Sequence, residues 1–491
     1  MNRNRLLLGI VALIAAAGIA MTIGCQGAGD ETGCAHEWGN WNVTLEPVCE
    51  ADGTSARVCQ LCGQAQTMPL PALGHHMGEW GIAAGLAARD CLMTGCGYGE
   101  RRALVQMSAG SGHSAAVDSE GSLWVWGQGV AGRLGLGDVD RRNFAVQHQN
   151  PSGVTGWASV SAGGMHTMAI DSAGGLWAWG ANGNGRLGLG AGFGVVTAPE
   201  RVPNPSGVTG WASVSAGGIH TMAIDSDGGL WGWGSGEDGR LGLGLGAPED
   251  DIFVNHDPGR VQNPSDVSGW ATVVAGGTFT AAICVDGSLW TWGMGVLGQL
   301  GLGGGNYPPA THNRYLPEQV PNPAGVTGWT AVSLSDHHGM AISTDGRLWV
   351  WGQGNEGRLG QGPGTSHHTN PDLLQVLNPD GVVGWAGVGA GFWFSMAIDS
   401  GGGLWAWGSN WGTGRLGLDS STLYYESPQR VQNPAGAVGW ASVAASDTAH
   451  HTLAIDTEGR IWAWGFNGNG QLGIGGGLGS YGRPILVGPR S

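Results

Sequence analysis

Charge is scarce in this chain. Only 12% of its 491 residues are charged, and 21 basic residues face 37 acidic ones, for a formal net charge of −16. A nucleic-acid partner needs a basic footprint that releases counterions. Apart from the pairs Arg101/Arg102 and Arg141/Arg142, no basic cluster stands out. The composition therefore argues against DNA or chromatin as a direct partner. Cysteine is nearly missing from the long C-terminal part: seven of the eight precede residue 97. The eighth, Cys284, stands alone and reads as a small, inert space-filler. No repeat-breaking cluster of nucleophile, base and orienting group is present, which argues against an enzyme. A Gly-X-Y period is also missing, which excludes collagen.

What the chain does have is 97 glycines and 25 tryptophans. Disordered linkers lack aromatic residues, so this is not one. Many short strands with tight turns, and Trp filling the space between sheets, fit the combination.

The N-terminus begins with the short positive stretch Met1-Asn-Arg-Asn-Arg5. Residues 6–24 are nearly all apolar and end at Thr22-Ile23-Gly24-Cys25. A positive start, an apolar run and a small residue before the cut mark a signal peptide, here residues 1–24. The cysteine after Gly24 makes it resemble a bacterial lipoprotein signal, although Thr22 stands where Leu is commonest. The resemblance implies cleavage before Cys25, a diacylglycerol on Cys25, and a chain anchored to a membrane on its extracytoplasmic side. An uncleaved anchor helix is the alternative, since about 19 apolar residues can span a bilayer. Residues 25–33 read as a linker.

Residues 34–102 carry Cys34, Cys49, Cys59, Cys62, Cys91 and Cys96 in two related units. His36-Glu-Trp-Gly-Asn-Trp41 matches His75-His-Met-Gly-Glu-Trp80 in spacing, and Cys59-Gln-Leu-Cys62 loosely matches Cys91 and Cys96. The segment resembles small Cys/His repeats of bacterial surface proteins. Two chemistries fit. His36, Cys49, Cys59 and Cys62 can form a tetrahedral zinc site. Alternatively, an oxidising compartment turns the six cysteines into three disulfides that staple a segment too small for its own core.

Past residue 100 the chain repeats itself, which decides the fold. One unit runs from Trp157 through Ala162-Gly-Gly-Met-His166 and Asp171 to Trp177-Ala-Trp179 and Gly185-Arg-Leu-Gly188. Others open at Trp211, Trp270, Trp329, Trp385 and Trp440, spaced 54, 59, 59, 56 and 55 residues apart, and the first begins near Leu104 without its Trp. The W-x-W pair and the G-[RQ]-L-G stretch each occur seven times. Short runs bounded by Gly or Asp-Ser-x-Gly are strands joined by turns. Prolines fit only an edge strand, so residues 201–205 and their counterparts are expected to form the outermost strand. The Ala/Gly/Ser-rich strand is then innermost, and residues 484–488 are expected to close the ring against the first unit near Leu104.

The ordered elements A-G-x-x-H, D-x-x-G and W-G-x-x-x-x-G-[RQ]-L-G resemble those of the regulator of chromosome condensation repeat family. The resemblance covers residues 103–491 and implies an all-β fold, a seven-bladed β-propeller. Ser343 and Cys284 depart from the pattern by replacing the turn Asp.

His113, His166, His220, His338 and His451 share one position, which Phe279 and Phe394 fill in two units. A metal or catalytic role would not survive that exchange, so packed rings are expected. Arg133, Arg186, Arg240, Arg358 and Arg415 alternate with Gln299 and Gln471, which points to hydrogen bonding. Function is expected where the repeats disagree, in the stretches after G-[RQ]-L-G, which emerge on one side. These hold Phe144, Phe193, Phe253, Tyr307, Tyr315, Tyr424, Tyr425 and Tyr481. Exposed loop aromatics suit protein binding, and the opposite expectation is that they fold back onto their own blades. The extra histidines His337 and His450 break the pattern slightly.

The leading expectation is a non-enzymatic protein-binding or scaffold module at the bacterial cell envelope. Its partner is a protein, or a cell-wall component or glycan. No cofactor is expected for the propeller, and zinc only in residues 34–102. One alternative is a guanine-nucleotide exchange factor, as in the family's eukaryotic founder, but no repeat here is long enough to hold an inserted hairpin. Another is an inhibitor of the β-lactamase-inhibitor type.

Overall fold

The computed structural model describes residues 99–491 except 193, 245–252, 304–312, 366–367, 446–449 and 489–491, together with five short strands nearer the N-terminus. Contacts divide the chain into two compact units. The first contains a three-stranded antiparallel sheet of Asn42–Leu45, Gly53–Val58 and Ala65–Leu70, paired in chain order. The second, residues 79–89 and 99–491, contains the propeller.

Seven four-stranded antiparallel sheets follow one another from Leu104 to Leu486, each paired in chain order. They are the expected seven blades. Blade 2 is typical: Trp157–Ala162, His166–Asp171, Leu176–Ala181 and Val195–Arg201. Its second strand is buried along its whole length, because neighbouring blades press on both faces. The Ala/Gly/Ser strands are innermost, as expected, and the first strands of successive blades pack together around the axis. Their serines have a specific use. The Oγ atoms of Ser108, Ser161, Ser215 and Ser333 each accept the backbone N–H of Ala162, Ala216, Ala275 and Ala390 in the next blade, at 2.9 Å. An inner edge N–H is thereby satisfied without a fifth strand.

Each tryptophan at a repeat position is held by its indole N–H. The opening Trp211 donates to Asn204 Oδ1 at 3.0 Å, and the first Trp of the pair, Trp231, donates to Asp225 Oδ2 at 2.7 Å. The second, Trp233, donates across the blade boundary to the Arg186 carbonyl at 3.0 Å. The last of these bonds recurs seven times and closes at Trp126, which donates to the Gln471 carbonyl at 2.8 Å. A buried aromatic with one satisfied polar handle suits a blade interface. The turn Asp171 is a hub as well, since Oδ1 accepts the N–H groups of Ala173 and Gly175. Where Cys284 replaces it, the side chain is buried and its Sγ donates to the Gly269 carbonyl.

Two expectations are corrected. The fourth strand is not the proline segment but the stretch before it: in blade 2 it ends at Arg201. Residues 203–205 instead begin the connection to the next blade, where Asn204 both receives the Trp211 indole and donates to the Val208 carbonyl. Pro203 and Pro205 lie past the strand's end, whereas its own Pro199 falls at the register shift between Val196 and Glu200, where no ladder N–H is needed. The second correction concerns closure. Ser480–Leu486 pairs with Ile461–Phe466 of its own blade, with Trp462 opposite Leu486. Blade 7 is complete, and the ring closes by packing of whole blades rather than by a shared strand. Leu104 N–H donates to the Gly459 carbonyl at 2.8 Å, and Phe144 forms one isolated bridge with Ile474.

Candidate binding face

In an up-and-down blade, the loops joining strands one to two and three to four lie at the same end. The A-G-x-x-H segment and the G-[RQ]-L-G turn therefore share one face, and they interlock. In blade 1, His113 Nε2 lies 2.8 Å from Thr167 Oγ1 of blade 2, whose hydroxyl donates back to the Arg133 carbonyl at 2.8 Å. The hydroxyl has one proton and gives it to the carbonyl. It must accept from the imidazole, which fixes the Nε2–H tautomer. The relay recurs at His166/Thr221, His220/Thr280 and His338/Ser395. It closes the ring at His451, where Ser114 is the partner and donates to the Gln471 carbonyl. Where Phe279 replaces His, the facing residue is Gly339, which has no hydroxyl to satisfy. All five histidines are fully buried, and burial above all holds each well below the usual imidazole range. They are neutral structural groups, as expected.

The arginines brace the same face. Arg133 Nη1 donates to the Gly164 carbonyl, Arg186 to Gly218, Arg240 to Gly277 and Arg358 to Phe392, at 3.1 to 3.2 Å. Each reaches from one blade to the next, which is the expected hydrogen-bonding role. The turn carrying them is tight. Gly239 adopts φ +84, and a Cβ there would stand 2.6 Å from the Arg314 carbonyl oxygen of the next blade.

The predicted aromatic residues are placed as follows. Phe144, Tyr315, Tyr424, Tyr425 and Tyr481 lie in outermost strands rather than in free loops. Tyr425 and Tyr481 are half-buried against blade cores, with their hydroxyls donating to Ser420 Oγ and the Gly477 carbonyl. Phe253 packs against the core beside Gly236. Tyr424 and Phe144 are the most open, at 41% and 45% exposure. Phe193 and Tyr307 lie outside the described residues, as do Cys25, His36, Cys49, Cys59 and Cys62. Among the described residues no group of three or more His, Cys, Asp or Glu could hold a metal ion.

The structure gathers other residues that the repeat reading passed over. At the position just before the ring residue, the blades carry Gly112, Met165, Ile219, Thr278, His337, Trp393 and His450. Around His337 and Trp393 an aromatic cluster forms. His337 stacks near Trp393 at 6.0 Å and meets Phe392 edge-on at 5.3 Å, while the Arg358 guanidinium lies 4.3 Å from the Trp393 ring. Burial and Arg358 push His337 down to about 4, so it is neutral here. Beside this cluster in blade 6, Trp411 is 60% exposed and Leu423 is 53% exposed. The missed signal was a tally of tryptophan against the repeat. Three precede the propeller and twenty fill repeat positions. The two left over, Trp393 and Trp411, both sit on the loop face of blade 6.

Seven contiguous blades, tied by a His–Thr–carbonyl relay and carrying their variation on one loop face, define a β-propeller of repeat type. The profile of the regulator of chromosome condensation (RCC1) repeat matches residues 120–170, 173–224, 227–283, 286–342 and 345–398, and a second profile of that repeat extends the match to 440–471. The chain belongs to the RCC1 repeat family. The ultraviolet-B receptor UVR8 of Arabidopsis thaliana is 32% identical over 375 residues, 76% of this chain and 79% of that protein. The human regulator of chromosome condensation is 29% identical over 378 residues, 74% of this chain and 84% of that protein. Among solved structures, Prp20p from Saccharomyces cerevisiae covers 74% of this chain and 85% of its own, with a TM-score of 0.63 and 21% identity. At that identity the likeness is one of fold.

Proposed function

We propose that this chain is a non-catalytic protein-binding module that works through the loop face of its propeller and is displayed at a bacterial cell envelope by a lipid on Cys25. The observation that carries the binding reading is the blade 6 cluster. Trp411, Leu423 and Tyr424 are exposed beside the half-buried Phe392 and Trp393. Exposed Trp and Tyr on a rigid scaffold are the composition of interface hot spots. The human relative is a regulator of chromosome condensation, and Prp20p of Saccharomyces cerevisiae binds Gsp1p and histones. Those partners belong to that protein. The export signal and the net charge of −16 favour a partner met outside the cytoplasm over chromatin.

A regulator of the exchange-factor type is the second reading, supported by the family and opposed by the same export signal. An inhibitor of a secreted enzyme, of the β-lactamase-inhibitor type, is a narrower form of the first. A glycan or cell-wall component is the remaining partner class. The test is cross-linking of the full chain on intact cells of a bacterial host, followed by recovery of the chain. One saturable protein adduct that disappears on Trp411→Ala and Tyr424→Ala is the expected result. Adduct formation that ignores both substitutions would remove this face from the reading. Cys25→Ala is expected to release the chain from the membrane fraction, and retention would remove the lipid.

A further inference from the structure

A depression of about 690 Å³ opens on the loop face between blades 1 and 5. Its lining includes Arg133, Arg186 and Arg240, the apolar Met165 and Ile219, and the acids Glu237, Asp238 and Asp336. The three arginines are not equivalent. Arg240 is within ion-pair distance of both Glu237 and Asp238. Asp336 also acts on Arg240. Arg133 and Arg186, on the other side of the depression, have no carboxylate at ion-pair distance among the described residues. Arg133 gives Nε to the Val130 carbonyl and Nη1 to Gly164, and its Nη2 has no protein partner among them. Arg186 is 6% exposed; its Nη1 donates to the Gly218 carbonyl and its Nη2 to Asn184 Oδ1, and its buried Nε has no partner among the described residues.

A buried charge is ordinarily paired, because leaving water costs several kcal/mol. The position does not require a cation: in blades 4 and 7 it is held by Gln299 and Gln471, whose Oε1 accepts the Leu297 and Asn469 N–H of the same turn and whose buried Nε2 has no partner among the described residues. The concentration is also unusual for this chain. It contains no lysine, and five of its 21 arginines stand at this one ring position of a protein with net charge −16. Burial and Arg186 push Arg133 down to about 10, so it remains a cation at neutral pH.

Resting on the protein-binding reading above, we infer that Arg133 and Arg186 receive a carboxylate side chain from the partner polypeptide. Met165 and Ile219 border the site, and the acids around Arg240 confine the incoming carboxylate to the blade 1–2 side. Arginine suits this role because its planar donors match a carboxylate.

The test uses the full chain and two fluorescein-labelled peptides, Ala-Glu-Ala-Glu-Ala and its Gln twin, read by anisotropy. One charge-assisted pairing predicts that the Glu peptide binds ~10- to 100-fold more tightly than the Gln peptide. In R133Q/R186Q that preference falls to near unity, and in R347Q, far from the depression, it persists. Equal binding of the two peptides by the unaltered chain overturns the inference without any variant, as does an undiminished preference in a folded R133Q/R186Q. Should the double variant unfold, R186Q alone must lower the preference. Complete displacement of the Glu peptide by free glutamate at equal concentration would reassign the site to a small carboxylate and overturn the polypeptide part. The two readings fail separately. A Glu preference with no cross-linked protein on cells sinks the partner reading, whereas a Trp411-dependent adduct with no Glu preference sinks this one.

Discussion

The five ring histidines make acid stability a direct probe of the blade interfaces. His113, His166, His220, His338 and His451 are fully buried, and each is held well below its ordinary value, chiefly by burial. In the unfolded chain each takes a proton near pH 6.5. In the folded chain none does, because the proton would enter a dry site, and in His113, His166, His220 and His451 the Nδ1–H would have no acceptor, whereas His338 Nδ1 meets Ser335 Oγ at 2.7 Å. Protonation therefore favours unfolding. The stabilisation is fully present above about pH 6.5 and is lost as the pH falls from there toward the folded-state values. Each histidine steepens the loss by up to about 1.4 kcal/mol per pH unit, so five together approach ~7 kcal/mol per unit. A domain has about 5–15 kcal/mol in total, so the propeller is expected to unfold within one to two units below pH 6.5. The measurement is urea unfolding followed by tryptophan fluorescence between about pH 7.5 and 5.5. The paired variant His166→Phe with Thr221→Gly copies the Phe279/Gly339 pair and should lower the slope by about one fifth, or ~1.4 kcal/mol per unit. Stability that is flat over this range, or an unchanged slope in the variant, refutes the reasoning.

Three further outcomes are expected. Trp407→Phe removes the indole donor from the Arg358 carbonyl, 2.9 Å away at a fully buried position, and should cost about 2 kcal/mol in urea unfolding, whereas Trp411→Phe should change stability by less than about 0.5 kcal/mol. Ala131 occupies the left-handed region at φ 61, so Ala131→Gly should stabilise by about 0.5–1 kcal/mol, read as a higher melting temperature. For residues 34–102, metal analysis of the purified chain with and without reductant separates the two expectations: bound zinc lost on changing Cys59 and Cys62 to Ser, or thiols that react only after reduction.

Repetition explains what could be read from the sequence. Seven copies of W-x-W and G-[RQ]-L-G fix the blade count, and Asp171-Ser-Ala-Gly-Gly marks a turn by its glycines alone. The inner strand was legible because small residues, Ala, Gly and Ser, recur along it near the crowded axis. The outer strand was misplaced because Arg201 and the Pro-rich residues after it repeat well, while Val195–Arg201 itself does not. An outermost strand pairs through backbone on one side only, so little constrains its side chains. Ring closure was misplaced for a different reason. A chain ending before a new Ala/Gly strand looks incomplete, although Ser480–Leu486 is simply the fourth strand of blade 7.

The candidate face hid behind the same regularity, and the structure offers a way to separate two kinds of departure from the repeat. Some departures are answered elsewhere. Phe279 meets Gly339 in place of a hydroxyl. The Trp349 indole turns to Ser343 where the Asp is missing, and Ser343 donates in turn to Asp345. Cys284 leaves the Trp290 indole to Ser288, which Asp286 orients. The Ser343 and Cys284 exchanges each gain a replacement hydrogen bond, and Gly339 leaves no hydroxyl to satisfy beside Phe279, so packing alone accounts for all three. Trp411 is answered by nothing: it brings an extra residue, Gly412 at φ 59, into the turn and leaves a large ring 60% exposed. Exposing that much apolar surface has no benefit within the fold. In a ring where twenty other tryptophans all serve the packing, the departure left uncompensated is the one to which a function should be assigned.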